Sequence, residues 1–366
     1  MTTRPLDLAR LRVRPLAERL SLTSADAILV DPDADPPPVP PSVAEAARAC
    51  ADRLRAARER GSAAILIYGA HLLRNGAARI VERLLARGWL THLATNGAGS
   101  IHDWEYAWLG RSTEGVAAGV ADGTFGAWRE TGDAIHRAIL AGALDGLGYG
   151  RALGRFIVED GATLPDPAAL ADAIAARPGD PLTAARADLL GAMAAHGWPA
   201  GRVAVEHRWK HASIVAAAYR HGVPLTVHPG IGYDIVAVHP AFHGAALGRA
   251  AGLDFALFGG AVDALDGGVV LSIGSAVMGP QVFEKALSCA HNLRLQAGRP
   301  VVTGHSFFVV DLQDGGGWDW SAGEPPKENP AYYLRFCKSF SRMGGPLTYA
   351  QADNVTFLHH VHRELA

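Results

Sequence analysis

The sequence predicts an α/β fold: a doubly wound, mostly parallel sheet with crossover helices and one helical insertion. Three observations predict it. Short runs rich in apolar residues recur along the chain, as in residues 63–68 (AAILIY), 90–95 and 268–273, the first of them apolar throughout. That composition suits parallel strands buried on both faces. Segments with apolar residues at helical spacing lie between them. Glycine-bearing turns join strand to helix at residues 69–71, 95–100, 228–234 and 274–276, as crossover connections require.

Taken in order, residues 27–30 (AILV) read as a short strand. The prolines of DPDADPPPVPP, 31–41, cannot serve a helix or an inner strand because they lack N–H donors. Residues 1–41 therefore read as an N-terminal arm and linker, and residues 42–366 as the domain. Ser42 as N-cap opens a helix to Arg60. A strand over 63–68 follows, then a helix over 72–87 closed by Gly88. Next come a strand over 90–95, a turn at 96–99 and a helix over 101–109. Residues 110–209 are less regular, with helices expected at 133–144, 167–176 and 181–196. This is the helical insertion, about 130–210. The α/β rhythm returns with a helix over 212–221 and a strand over 224–227. Further strands are expected at 255–258, 268–273, 300–303 and 307–310, with a helix over 280–297 and a loop over 315–330.

Composition narrows the function. The 366 residues carry 34 Lys+Arg against 36 Asp+Glu, a net charge of −2, which argues against nucleic-acid and anionic-membrane partners. Four of the cations are lysines, Lys210, Lys285, Lys327 and Lys338, so lysine chemistry has four addresses. The three cysteines form no CxxC, and neither a disulfide framework nor a thiolate zinc site is indicated. No apolar run of about 18 residues is seen and no signal peptide opens the chain, so a cytoplasmic protein without a membrane span is expected.

The four glycine turns would sit at the carboxyl edge of the sheet. There, backbone N–H groups and helix N-termini receive phosphates in open α/β folds. No full GxGxxG or Walker sequence is present. His102-Asp103-Trp104-Glu105 follows the second turn, and such residues can cap the helix, bind ribose hydroxyls or do acid–base work. His239 and His243 (HPAFH) have i, i+4 spacing but lack the Glu of a zincin motif. His359, His360 and His362 read as an exposed helix face. Asp311, Asp314, Asp319 and Glu324 near Trp318 and Trp320 read either as a solvated loop or as a cradle for an amine.

In this order, the segments ILIYGAHLLRNG (65–76), LATNGAGSIHDWEYAWL (93–109), SIVAAAYRHGVPLTVHPGIGYDIV (213–236), GGVVLSIGSAVMGPQVFEKAL (267–287), DLQDGGGWDW (311–320), FCKSF (336–340) and LTYAQADNVTF (347–357) resemble the deoxyhypusine synthase family. HDWE at 102–105 is also similar to the HDxE of NAD-dependent ornithine cyclodeaminase domains. The resemblance implies a Rossmann-like NAD-binding fold. It puts NAD against Gly69 and Ala70, against Thr95, Asn96, Gly97, Ala98 and Gly99, and against Gly274, Ser275 and Ala276, with Asp103 and Glu105 at the nucleotide. It implies that Asp234, Asp319 and Glu324 hold an amine and that Lys338 forms a covalent imine in a short strand; the expected proton carrier is His102 or His228. The family's lysine–histidine pair is replaced here by Met278-Gly279.

The function expected on these grounds is an NAD-dependent transferase or lyase, oxidising a small-molecule amine by hydride transfer as a homodimer or homotetramer. Two other readings stand beside it. One is a nucleotide-binding regulator that has lost catalysis. The other is a metal-assisted hydrolase using His228, His239 and His243. Lys338 also has a simpler reading, in which Arg335, Lys338 and Arg342 form a basic face pairing with Glu324 or Glu328.

Overall fold

In the computed structural model, which describes residues 4–366, six parallel strands form one sheet. They are β1 (Ala64–Tyr68), β2 (His92–Asn96), β3 (Leu225–His228), β4 (Val269–Ile273), β5 (Ser306–Asp311) and β6 (Leu347–Gln351). Their spatial order is β6-β5-β4-β1-β2-β3. The order reverses between β1 and β4, and this is the Rossmann arrangement with its crevice at the switch point. The register pairs Tyr68 with Thr95 on one side and with Ile273 on the other, so the three strands end level.

Alternation along the strands builds two cores. Leu66 and Tyr68 of β1, with Leu271 and Val310, face the helices Pro41–Arg60, Ala78–Ala86 and Asn354–Glu364. Ile65 and Ile67, with Val270 and Val309, face Gly244–Asp263, Met278–Gln296 and Arg335–Ser341. Both faces are buried, which is why these strands read as continuous apolar runs.

Several expectations need correction. Residues 25–28 form a helical turn and not a strand. The single helix expected over 72–87 is two, Ala70–Arg74 and Ala78–Ala86. They part at Gly76, whose φ of +88° lets its backbone lie against Ile28. Residues 255–258 lie inside the helix Gly244–Asp263, whose buried Leu247, Ala250, Asp254, Phe258 and Val262 recur at helical spacing. Residues 300–303 form no strand, and residues 335–341 form a helix. His359 and His362 are buried, and His360 bonds the Pro37 carbonyl at 2.8 Å.

The helix Gly244–Asp263 is also long and apolar enough to cross a membrane by length and composition. It packs on Met278–Gln296 and on β3. Its Asp254 is fully buried and accepts from the Val227 and Gly150 N–H groups at 2.7 and 2.9 Å.

Between β2 and β3 the chain inserts the helices Arg129–Ala143, Tyr149–Val158, Pro167–Ala176 and Thr183–His196. A hairpin of Gly161–Leu164 with Gly201–Ala204 completes the insertion. The N-terminal segment is docked on the domain. Thr23–Ser24 pairs with Arg111–Ser112, and Leu16 is fully buried.

Candidate active site

The helix Gly97–Leu109 organises the candidate site. It starts directly after β2, where the Asn96 side chain caps it by accepting from Gly99 N at 2.8 Å. It places His102, Asp103 and Glu105 in three different surroundings.

Asp103 is fully buried and caps a second helix, Ile214–Arg220. Its carboxylate accepts from Ser213 Oγ and from the Ile214 and Val215 N–H groups, the last two at 2.7 and 3.1 Å. Burial pushes its carboxyl up to about 7 against those three donors. Its oxygens are thus engaged inside the protein, at the position where the resemblance implies an acid at the nucleotide.

Glu105 is fully buried in a bidentate pair with Arg19, at 2.8 and 2.7 Å. Thr131 Oγ1 donates to it at 2.9 Å and Ser112 Oγ at 2.5 Å. His102 Nδ1 lies 2.6 Å from the same Ser112 Oγ. This chain fixes the imidazole tautomer. The Ser112 proton is committed to the Glu105 carboxylate, so Ser112 Oγ accepts from Nδ1–H. Nε2 then carries the lone pair. Burial brings the His102 ring down to about 4, so it is neutral at pH 7.

His102 and Glu105 line a cleft of about 270 Å³ with Arg19, Arg74, Glu114 and Asp234. Asp234 comes from the loop after β3, and its Oδ2 accepts from Gly230 N at 2.7 Å. Burial pushes it up to about 6 against the pull of the Gly230 and Ala98 N–H groups. The carboxylate lies on the helix N-terminus so closely that a Cβ at Gly97 would overlap it. This N-terminus therefore already faces a protein carboxylate. Glu114, raised by burial, accepts from Trp128 Nε1 at 2.8 Å and Gly126 N at 3.1 Å. Arg74 makes no ion pair among the described residues, and its Nε is buried without an acceptor.

The crevice at the switch point is separate in its chemistry. Gly69 and Gly274 approach so closely that a Cβ on Gly69 would overlap the Gly274 carbonyl. Gly274 has φ +61° and lies against the Asn354 amide. Ser275 Oγ accepts from Gly279 N at 3.0 Å at the start of the helix Met278–Gln296. Asn354 Oδ1 is buried there without a partner. Thr95 Oγ1 donates to the Tyr68 carbonyl at 3.0 Å. An orphaned polar atom beside a glycine cradle fits a polar ligand laid across the strand ends.

The remaining candidates lie elsewhere. Lys338 Nζ pairs with Glu324 Oε1 at 2.5 Å and sits 3.8 Å from the Tyr332 ring centroid. Arg342 shares Glu324 at 2.6 Å. This is the basic-face pairing rather than a free amine. Asp319 is held in a turn by Ser321 N and Ser321 Oγ, at 2.9 and 2.8 Å, which lowers its carboxyl. None of the three lines the His102 cleft.

His228, His239 and His243 do not converge either. His228 Nε2 meets Thr226 Oγ1 at 3.1 Å, His239 stacks on His136, and His243 Nδ1 accepts from Ala246 N at 3.3 Å. Among the described residues no three metal-ligating side chains cluster.

Sequence reasoning missed Arg19, Arg74, Ser112, Glu114 and Asn354. Arg19 and Ser112 carried no signal because their roles arise from long-range pairing. Arg74 could have been found, being a charge one helical turn beyond the first glycine turn.

No family model matches the chain, and no curated protein matches it. The deoxyhypusine synthase resemblance therefore rests on the short segments alone. Solved structures do match. The arginine dihydrolase ArgZ of the ornithine-ammonia cycle in cyanobacteria is 13% identical, with a TM-score of 0.42 over 89% of this chain and 32% of that one. AgrE, solved with ornithine and NAD+, is 12% identical, with a TM-score of 0.42 over 90% of this chain and 34% of that one. A conserved LOR/SDH protein from Methanococcus maripaludis S2 is 14% identical, with a TM-score of 0.40 over 92% and 73%. The present chain spans about a third of the length of the first two.

Proposed function

We propose that this chain is an NAD-dependent enzyme that oxidises a small, amino-acid-like amine in the His102–Asp234 cleft. The observation that carries the reading is the Glu105–Ser112–His102 chain, which presents a neutral, correctly oriented acceptor to a cleft holding both an acid and an unpartnered arginine. Gly69, Ala70, Gly274, Ser275 and Ala276, with Asn354, would hold the dinucleotide. When bound, NAD supplies a hydride acceptor.

The chain's own residues supply position and proton transfer. Asp234 and Glu114 receive the substrate ammonium, and Arg74 receives its carboxylate. Asp234, raised to about 6, takes a proton from the ammonium, and the freed lone pair makes the adjacent carbon a hydride donor. His102 Nε2, its ring held by Ser112 and Glu105, accepts a hydrogen bond from the amine and orients it. Lys338 in this reading has a structural role with Glu324. The active assembly is a homodimer or homotetramer.

The test is a spectrophotometric screen of amino acids and diamines for formation of reduced nicotinamide. His102→Asn is expected to lower turnover by about 10²-fold or more while NAD binding persists. If purified protein neither carries nor binds NAD, or if no amine reduces it, the reading fails.

A further inference from the structure

A second cleft, of about 520 Å³, opens on the opposite flank of the helix Gly97–Leu109. Its walls include Trp104, Trp108 and Trp209, and the helix Arg129–Ala143 contributes Asp133 and Arg137. Trp104 and Trp108 stack with centroids 5.3 Å apart and planes 16° from parallel. Trp104 is fully buried, yet its indole N–H has no acceptor. Such a donor is costly to leave unmet.

Of the charged groups on its walls, which also include Arg129, Glu130, Glu206 and Arg208, Asp133 and Arg137 are poorly used. Arg137 and Asp133 are one helical turn apart, but their nearest atoms are 3.9 Å from each other. Arg137 lies over the Trp198 ring at 4.7 Å, and its Nε is buried without a partner. Burial raises the Asp133 carboxyl above its ordinary range, with Arg137 only partly opposing it. An acid and a base that do not satisfy each other, set on one wall of an indole-lined cleft, suit a ligand carrying both complementary charges.

We propose that this cleft binds a free α-amino acid with a flat, apolar side chain. Its ammonium meets Asp133, its carboxylate meets Arg137, and its side chain lies on the indoles of Trp108 and Trp209. The site is distinct from the His102–Asp234 cleft, though the same helix serves both. Thr131, two residues from Asp133, donates to Glu105 at 2.9 Å, so occupancy here bears on the group that orients His102.

Titration calorimetry on the full chain tests this with three probes: L-phenylalanine, phenethylamine and phenylpropionate. L-Phenylalanine is expected to bind one per chain, with each analogue at least about 10-fold weaker because it leaves one half-buried charge unmet. This series uses the wild-type protein and needs no variant to fold. Asp133→Asn and Arg137→Met should each weaken L-phenylalanine by about 10-fold or more, and Asp234→Asn should leave it unchanged. The proposal is overturned if L-phenylalanine does not bind, if the analogues bind equally well, or if Asp234→Asn abolishes binding and so places the ligand in the first cleft.

Discussion

Replacing Arg19 by methionine removes the cation from a pair whose two side chains are 3% and 0% exposed. The Glu105 carboxylate would keep two neutral donors, Thr131 at 2.9 Å and Ser112 at 2.5 Å, and no charge opposite it. Breaking a buried ion pair on one side costs about 3–5 kcal/mol, because the remaining charge stays desolvated. That is a large part of the roughly 5–15 kcal/mol that holds a typical domain together. Glu105→Leu alone strands the guanidinium and should cost a similar amount. The double variant Arg19→Met/Glu105→Leu removes both charges and should cost far less than the sum. Urea unfolding followed by circular dichroism, run as a double-mutant cycle, measures all three. A loss below about 1 kcal/mol for Arg19→Met, or a double variant that is simply additive, would refute the reasoning.

Two further outcomes follow from the same structure. Burial lowers His92 to about 3, and His102, His136, His207, His228 and His239 to about 4. A group depressed in the folded state favours unfolding as pH falls, because the unfolded chain then binds more protons. Asp103, Asp234 and Asp254 are raised to about 7, 6 and 7, and they act in the opposite direction. The histidines outnumber them, so stability should fall on acidification from pH 7 towards pH 5, as urea midpoints across that range will show; a rise would contradict the assignment. Lys338→Arg keeps the charge facing Glu324 and Tyr332 but removes the amine nucleophile. Turnover within about 3-fold of wild type is expected, whereas a loss of about 10²-fold would restore a covalent role for Lys338.

Much of the fold was legible because parallel strands buried on both faces announce themselves. β1, β4 and β5 lie within a residue of the apolar runs that predicted them. β6 (LTYAQ) escaped because it is an edge strand, mostly half-buried and mixed in polarity. Phe255–Phe258 misled because a short apolar run in a glycine-rich helix has the composition of a strand. The glycine segments follow the strands as expected, although Gly97-Ala98-Gly99 are the first turn of the helix and not a separate turn before it, and the close approach of Gly69 to Gly274 explains why glycine stands there. Side-chain employment was harder to read. HDWE shows four neighbouring residues, but Asp103 and Glu105 are claimed by Ser213 and Arg19, more than 80 residues away in each case. No local pattern carries such pairings. His102 lines the cleft beside Glu105, and its tautomer depends on Ser112, which nothing in the motif marks.

The account rests most directly on the crevice between β1 and β4 as the dinucleotide site. Calorimetry of NAD+ against protein stripped of nucleotide, compared with Gly274→Val, tests it. Gly274 has φ +61° and a Cβ there would meet the Asn354 amide, whereas Gly248, with nothing within 4 Å, provides the control Gly248→Ala. One NAD+ bound per chain is expected for wild type and Gly248→Ala, and none for a folded Gly274→Val. A wild-type protein that does not bind NAD+, or a Gly274→Val that binds it equally well, would contradict it.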